Sequence, residues 1–162
     1  MDVLVVGKGG REHALAWKIM QSPQCDRLLC APGNPGIEAD GGILFDIDGE
    51  DVQGIVDLAK SEKVGLVVVG PEAPLAVGLG DALREAGIPC FGPTGAGARI
   101  ESDKVYAKEL MQNVSVPTAE SRTFQDLESA KNYVLSRDHG VIRPSMTRPI
   151  KQAKGEMLIT PE

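Results

Sequence analysis

The sequence predicts an α/β fold, a parallel sheet with helices on both faces. Two observations carry that expectation. Short apolar runs rich in branched residues alternate with segments whose apolar positions recur at the helical period, the pattern of strands joined by crossover helices. Three of the turns, residues 7–13, 32–36 and 70–74, are unusual loops at the C-terminal ends of strands, where parallel sheets hold their ligands.

The first run, Val3, Leu4, Val5 and Val6, is continuous and mostly β-branched, as suits a strand buried on both faces. Gly7, Gly9 and Gly10 then permit a sharp turn and close backbone approach. A helix follows with Ala14, Leu15, Ala16, Trp17, Ile19 and Met20. Its start points unpaired N–H groups and the positive end of its dipole at the turn, which favours an anion such as phosphate. Ser22-Pro23 stops it. A second strand spans 26–31 and runs into Pro32-Gly33-Asn34-Pro35-Gly36, expected to be loop throughout. A third, weaker strand lies within 42–47.

Asp48 or Asp51 caps a helix carrying Val52, Ile55, Val56 and Ala59. Residues 65–69 are the most strand-like run, and they end at Gly70-Pro71-Glu72-Ala73-Pro74. One helix then carries Leu75, Leu79, Ala82, Leu83 and Ala86 to a stop at Gly87, and 88–91 form a short strand. Beyond Gly92-Pro93 the character changes. Thr94 caps a short helix to Glu101, and Ser102 caps another with Val105, Tyr106, Leu110 and Met111. Val116-Pro117 break it, 120–124 are extended, and Leu127, Ala130, Lys131 and Val134 mark a further helix. From 139 onward the one clear strand candidate is Met157-Leu158-Ile159.

Composition narrows the function. Hydrophobic residues at 42% and charged residues at 25% are those of a soluble globular domain. With 23 acidic against 17 basic residues and only 4% aromatics, neither the charge nor the stacking surface of a nucleic-acid binder is present. No apolar run approaches the roughly 18 residues that cross a bilayer, so no membrane partner and a cytoplasmic location are expected. Cys25, Cys30 and Cys90 lack CxxC spacing and nearby histidines, which implies reduced thiols and no metal site.

Gly7-x-Gly9 after a strand is half of a dinucleotide fingerprint. The third glycine position falls at Glu12, and the second strand ends in Ala31-Pro32 where a ribose-binding carboxylate is required. A Walker-type loop is absent as well, because no Gly-Lys-Ser/Thr closes the turn.

Five segments then stand together: Val5-Val6-Gly7-Lys8-Gly9-Gly10-Arg11-Glu12-His13-Ala14-Leu15-Ala16-Trp17-Lys18, Ala31-Pro32-Gly33-Asn34-Pro35-Gly36, Val69-Gly70-Pro71-Glu72-Ala73-Pro74-Leu75, Phe91-Gly92-Pro93-Thr94 and Ser102-Asp103-Lys104. In this order they closely resemble the glycinamide ribonucleotide synthetase (phosphoribosylamine–glycine ligase) family, over residues 1 to about 138. The resemblance implies a Rossmann-like pre-ATP-grasp domain at 1–101 that binds substrate, the start of an ATP-grasp region at 102–138, and an atypical tail at 139–162, for which disorder is one reading. It also implies a reaction: ATP phosphorylates the glycine carboxylate, and the amine of 5-phosphoribosylamine attacks the acyl phosphate to give glycinamide ribonucleotide, ADP and phosphate.

By the same resemblance Gly9, Gly10 and Arg11 would meet the 5-phosphate, Glu72 the ribose hydroxyls or amine, Asn34 the cleft, and Lys104 the ATP phosphates. Each has a plainer alternative. Asn34 is equally a turn former, Glu72 a helix-start carboxylate, and Lys104 an exposed helix-start lysine. His13 is expected to pack or hydrogen-bond within the first helical turn. No catalytic residue and no metal ligand is assigned, and ATP with Mg²⁺ serves the full-length family.

The pattern then departs from the family. Arg143 stands where a strand should end in lysine, residues 145–152 contain no glycine, and only Lys154-Gly155 faintly matches the flexible loop. The expectation is a truncated or altered ligase gene product, without ligase activity or productive ATP binding by itself. A nonenzymatic phosphoribosyl-binding or interaction module and an NAD-binding oxidoreductase domain are the alternatives.

Overall fold

Strand β1 (Val3–Gly7) is buried along its whole length, and the rest of the first unit is wound around it. The computed structural model describes residues 1–136 and the strand segments 141–144 and 157–160. The chain divides into two compact units after Ala98.

In the first unit β1 is followed by α1 (Gly10–Met20), β2 (Leu28–Pro32), α2 (Pro35–Ala39), β3 (Ile43–Leu44), α3 (Val52–Ser61), β4 (Leu66–Val69), α4 (Glu72–Ala76), α5 (Leu79–Glu85) and β5 (Cys90–Phe91). The strands form one sheet in the order β3-β2-β1-β4-β5. Every pairing is parallel, with Leu4 level with Leu29 and Val67. Because side chains alternate across a strand, β1 feeds two cores. Leu4 and Val6 join Leu29, Ile55, Val67, Leu79 and Leu83 on the face covered by α3 and α5. Val3 and Val5 join Ala16, Cys30, Ile37 and Val68 on the face covered by α1 and α2. The α/β class is thus as the periodicity predicts.

Local corrections have local causes. The 32–36 loop is loop only to Asn34, because Pro35 supplies a preset φ at the first helical position and the Asn34 side chain accepts from the Gly36 and Ile37 N–H groups. The single helix expected from Leu75 to Ala86 is two, parted at Gly78, whose φ of +95° no helix allows. Asp51 rather than Asp48 caps α3, accepting from the Gly54 N–H. The second strand begins only at Leu28, since Asp26 and Arg27 are drawn off to the N-terminal ammonium and to Asp2 and Glu62.

Burial of Cys30 in β2 pushes its thiol up to about 11. A thiolate is the reactive form, so Cys30 should resist iodoacetamide at pH 8 in the native chain and react fully in denaturant. Peptide mass spectrometry reads this, and rapid native labelling of Cys30 would refute it.

Helix α6 (Gly95–Ser102) contains the division point. The second unit continues with α7 (Lys104–Asn113), β6 (Arg122–Phe124), α8 (Leu127–Leu135), β7 (Val141–Pro144) and β8 (Met157–Thr160). Asp103, not Ser102, caps α7 by accepting from the Tyr106 N–H at 3.0 Å. The three strands form an antiparallel sheet in the order β6-β8-β7. Two segments of the tail, 141–144 and 157–160, are therefore strands, and the other residues between 139 and 162 lie outside the described residues. Among the described residues no helix is long and apolar enough to cross a membrane.

Candidate functional site

The first unit gathers its unusual turns at one edge of the sheet. β1 ends at Gly7 with φ +127°, Lys8 and Gly9 make the turn, and α1 begins at Gly10. The Gly33 N–H donates to the Gly7 carbonyl and the Gly70 N–H to the Val6 carbonyl, both at 3.1 Å, so the turns after β1, β2 and β4 meet side by side.

Glu12 is what fills the space between them. Its side chain folds back from the first turn of α1, and Oε2 accepts the Gly9 N–H at 2.7 Å. The residue is only 4% exposed. A Cβ at Gly7 would lie 2.5 Å from Glu12 Cγ and 2.9 Å from Pro71 Cδ, one at Gly9 would lie 2.8 Å from Glu12 Oε2, and one at Gly70 would run into Glu12 Oε1. These glycines are demanded by a neighbouring carboxylate. Arg11 completes the staple: its Nη1 donates to the Gly70 carbonyl at 2.8 Å, while Nε stands 3.8 Å from Glu12 Oε1.

Asn34 ties the first turn to the second. Oδ1 caps α2, and Nδ2 donates to the Lys8 carbonyl at 3.0 Å. Both polar atoms of its side chain are engaged within the protein. Asn34→Ala should lower stability by about 1–2 kcal/mol, since a cap and an interturn bond go together. Urea denaturation monitored by circular dichroism checks this, and an unchanged midpoint would refute the role. His13 reaches beyond its own helical turn, with Nε2 2.8 Å from Oδ2 of Asp40 at the end of α2.

A cleft of about 330 Å³ opens over these turns. One wall is Lys8, Gly9 and Glu12, and another is Pro71, Ala73 and Pro74. The third, Asp48, Gly49 and Glu50, comes from the loop after β3. One cation and three carboxylates therefore line it, a mixed set that suits a ligand with an anionic end and a hydroxyl-rich or cationic end. Of the residues singled out from the sequence, Gly9 lines the cleft. Gly10, Arg11 and Asn34 belong to the adjoining turns and are not part of its lining. Glu72 opens α4 beside the cleft wall, half-buried, its side chain making no hydrogen bond or ion pair to the described residues. Lys104 is the exposed first residue of α7 in the second unit. Sequence reasoning missed Lys8, the burial of Glu12, and the Asp48–Glu50 wall. The signal for the last was present, because Asp48-Gly49-Glu50 also follows a strand end. Among the described residues no three His, Cys, Asp or Glu side chains converge on a metal-sized space.

The family described as phosphoribosylglycinamide synthetase, N domain, matches residues 1–101. The chain is 48% identical over 135 residues to the phosphoribosylamine–glycine ligase of Allochromatium vinosum, covering 83% of this chain and 32% of that protein. It is 50% identical over 134 residues to that of Rhizobium meliloti, covering 83% and 31%. The chain thus spans about a third of the length of the curated relatives it matches. In fold it superimposes on the crystal structure of phosphoribosylamine–glycine ligase from Thermotoga maritima with a TM-score of 0.69 at 23% identity, covering 100% of this chain and 44% of that one. The N5-carboxyaminoimidazole synthetase of Staphylococcus aureus, solved with ADP, gives 0.70 at 9% identity, covering 99% and 46%.

Proposed function

Because this chain belongs to the phosphoribosylglycinamide synthetase N-domain family over residues 1–101, we propose that its cleft binds 5-phosphoribosylamine for ligation to glycine at the expense of ATP. The observation that carries this is the mixed cleft at the strand ends, sized for a sugar phosphate and bounded by the glycine turn. Lys8 and the N–H groups that open α1, those of Gly10 and Arg11, take the phosphate. Glu72 and the cleft carboxylates take the ribose hydroxyls and the amine. Holding the amine in one orientation is the contribution that this domain makes to attack on the glycyl phosphate. The product of the whole reaction is glycinamide ribonucleotide, with ADP and phosphate. Residues 1–101 serve as the substrate domain, 102–138 open the ATP-grasp region, and Lys104 reaches the ATP phosphates once the nucleotide is held. Mg²⁺ supplies charge neutralisation on those phosphates in the full-length enzyme.

Calorimetry of the 162-residue chain with ribose 5-phosphate tests the reading. Binding should be measurable in the wild type and fall at least tenfold in Gly9→Val, whose side chain enters the cleft and strikes Glu12. Equal binding by both would refute the site. With no glycine in 145–152 to cover phosphates, the same chain should form no ADP from ATP, glycine and phosphoribosylamine; robust turnover would overturn that expectation. The departure of the tail from the family pattern favours one second reading, a module that binds the sugar phosphate without chemistry.

A further inference from the structure

We propose that Glu12 is the specificity residue of this cleft: its carboxylate stands in the anion position of the glycine turn, so the turn accepts a single terminal phosphate and refuses a pyrophosphate-bridged nucleotide. The accepted ligand rests on the phosphoribosyl reading above, whereas the refusal rests on the geometry of Glu12 alone.

In the order β3-β2-β1-β4-β5 the winding reverses between β1 and β4. In doubly wound sheets that crevice seats the phosphates of a bound nucleotide, and a glycine at the third fingerprint position lets the helix pack closely on the strand beside it. Here Glu12 occupies both the position and the crevice. Its Oε2 has already taken the Gly9 N–H at 2.7 Å, and its Oε1 lies against Gly70 at the end of β4. Its bond to Gly9 has the geometry of a capping box, but the glutamate is only 4% exposed and wedged between two strand ends. A phosphate brought to the same place would lose the Gly9 donor to an existing acceptor. It would also meet a carboxylate at contact distance in a poorly solvated crevice, where like charges repel strongly. The N–H groups of Gly10 and Arg11 lie outside the Glu12 bond, and Lys8 projects from the same turn into the cleft. They leave room for one phosphate set outward from the crevice, and none for a second set inward.

The test compares the 162-residue chain with Glu12→Gln and Glu12→Gly by calorimetry at low ionic strength, using ADP-ribose as the pyrophosphate-bridged probe and ribose 5-phosphate as the single-phosphate probe. Wild type should show no ADP-ribose binding. Glu12→Gly frees the Gly9 N–H and clears the crevice, and its ADP-ribose affinity should exceed the wild-type limit by roughly tenfold or more. Glu12→Gln keeps the volume and removes the charge, so it should fall between the two and remain folded by far-UV circular dichroism. Unchanged ADP-ribose affinity in both variants overturns the inference. So does ADP-ribose binding by wild type, and so does unfolding of both variants, which would make Glu12 a structural cap. Ribose 5-phosphate separates the two ideas. If wild type fails to bind it, the phosphoribosyl reading falls while a gain for ADP-ribose still upholds the refusal; if wild type binds it and ADP-ribose never gains, the refusal falls alone.

Discussion

Gly7→Ala should destabilise the first unit by about 3–5 kcal/mol, the sum of left-handed backbone strain and overpacking at a site with no give. The φ of +127° is one an L side chain rarely adopts. A methyl there would also press on Glu12 Cγ and on Pro71, whose ring cannot swing aside. The control is three residues away. A Cβ at Gly10 meets nothing within 4 Å, and at the first position of a helix Gly10→Ala should change stability by no more than about 0.5 kcal/mol. Urea denaturation of both variants decides the matter, and similar midpoints for Gly7→Ala and Gly10→Ala would sink the steric account. A Glu12→Ala background sharpens the comparison. It removes the clash with Glu12 but not the strained φ, so Gly7→Ala should be milder there than in the wild type, a non-additivity expected of neighbours in contact.

Leu4→Ala comes second, with an expected loss of about 3 kcal/mol within the range of roughly 2–5 found for buried leucines. Leu4 is fully buried on the central strand, level with Leu29 and Val67, and β1 is paired on both sides. A strand so placed cannot move to close the cavity without disturbing two ladders, which argues against relaxation and for a cost above the bare transfer energy. Trp17→Ala, at a side chain 54% exposed on α1, should be far milder. If thermal melting ranks the two the other way round, the core assigned here is wrong.

How much of this was legible beforehand differs by element. The strands at 3–7 and 66–69 are runs of branched apolar residues too short for helices and apolar on both faces, so their composition admits one reading. The stop at Gly87 is equally plain, its φ of +73° being what a helix C-terminus asks of glycine. Asn34 was not decidable. Asparagine suits a ligand wall and a helix cap alike, and only the position of Pro35 one residue on, together with the Lys8 carbonyl across the turn, commits its amide to the protein. Glu12 was legible only in part, in a more instructive way. In sequence it reads as the residue that breaks a dinucleotide fingerprint; in the fold it is the reason three glycines surround it.

By itself the sequence determined the five strands of the first sheet and the helices after β1 and β3, the parallel α/β class, and the motifs that the family shares, but neither the short helix α2 nor the break between α4 and α5. The features it determined follow from periodicity and backbone preference, which act over a few neighbouring residues. Tertiary structure alone decided which polar groups meet. Arg11 reaches a carbonyl 59 positions away, and Asp48 and Glu50 face Lys8 across one cleft, because parallel register brings successive strand ends to the same edge of the sheet. No local pattern encodes that register; it is set by the two apolar faces of β1, and the polar chemistry of the cleft is carried into place by them.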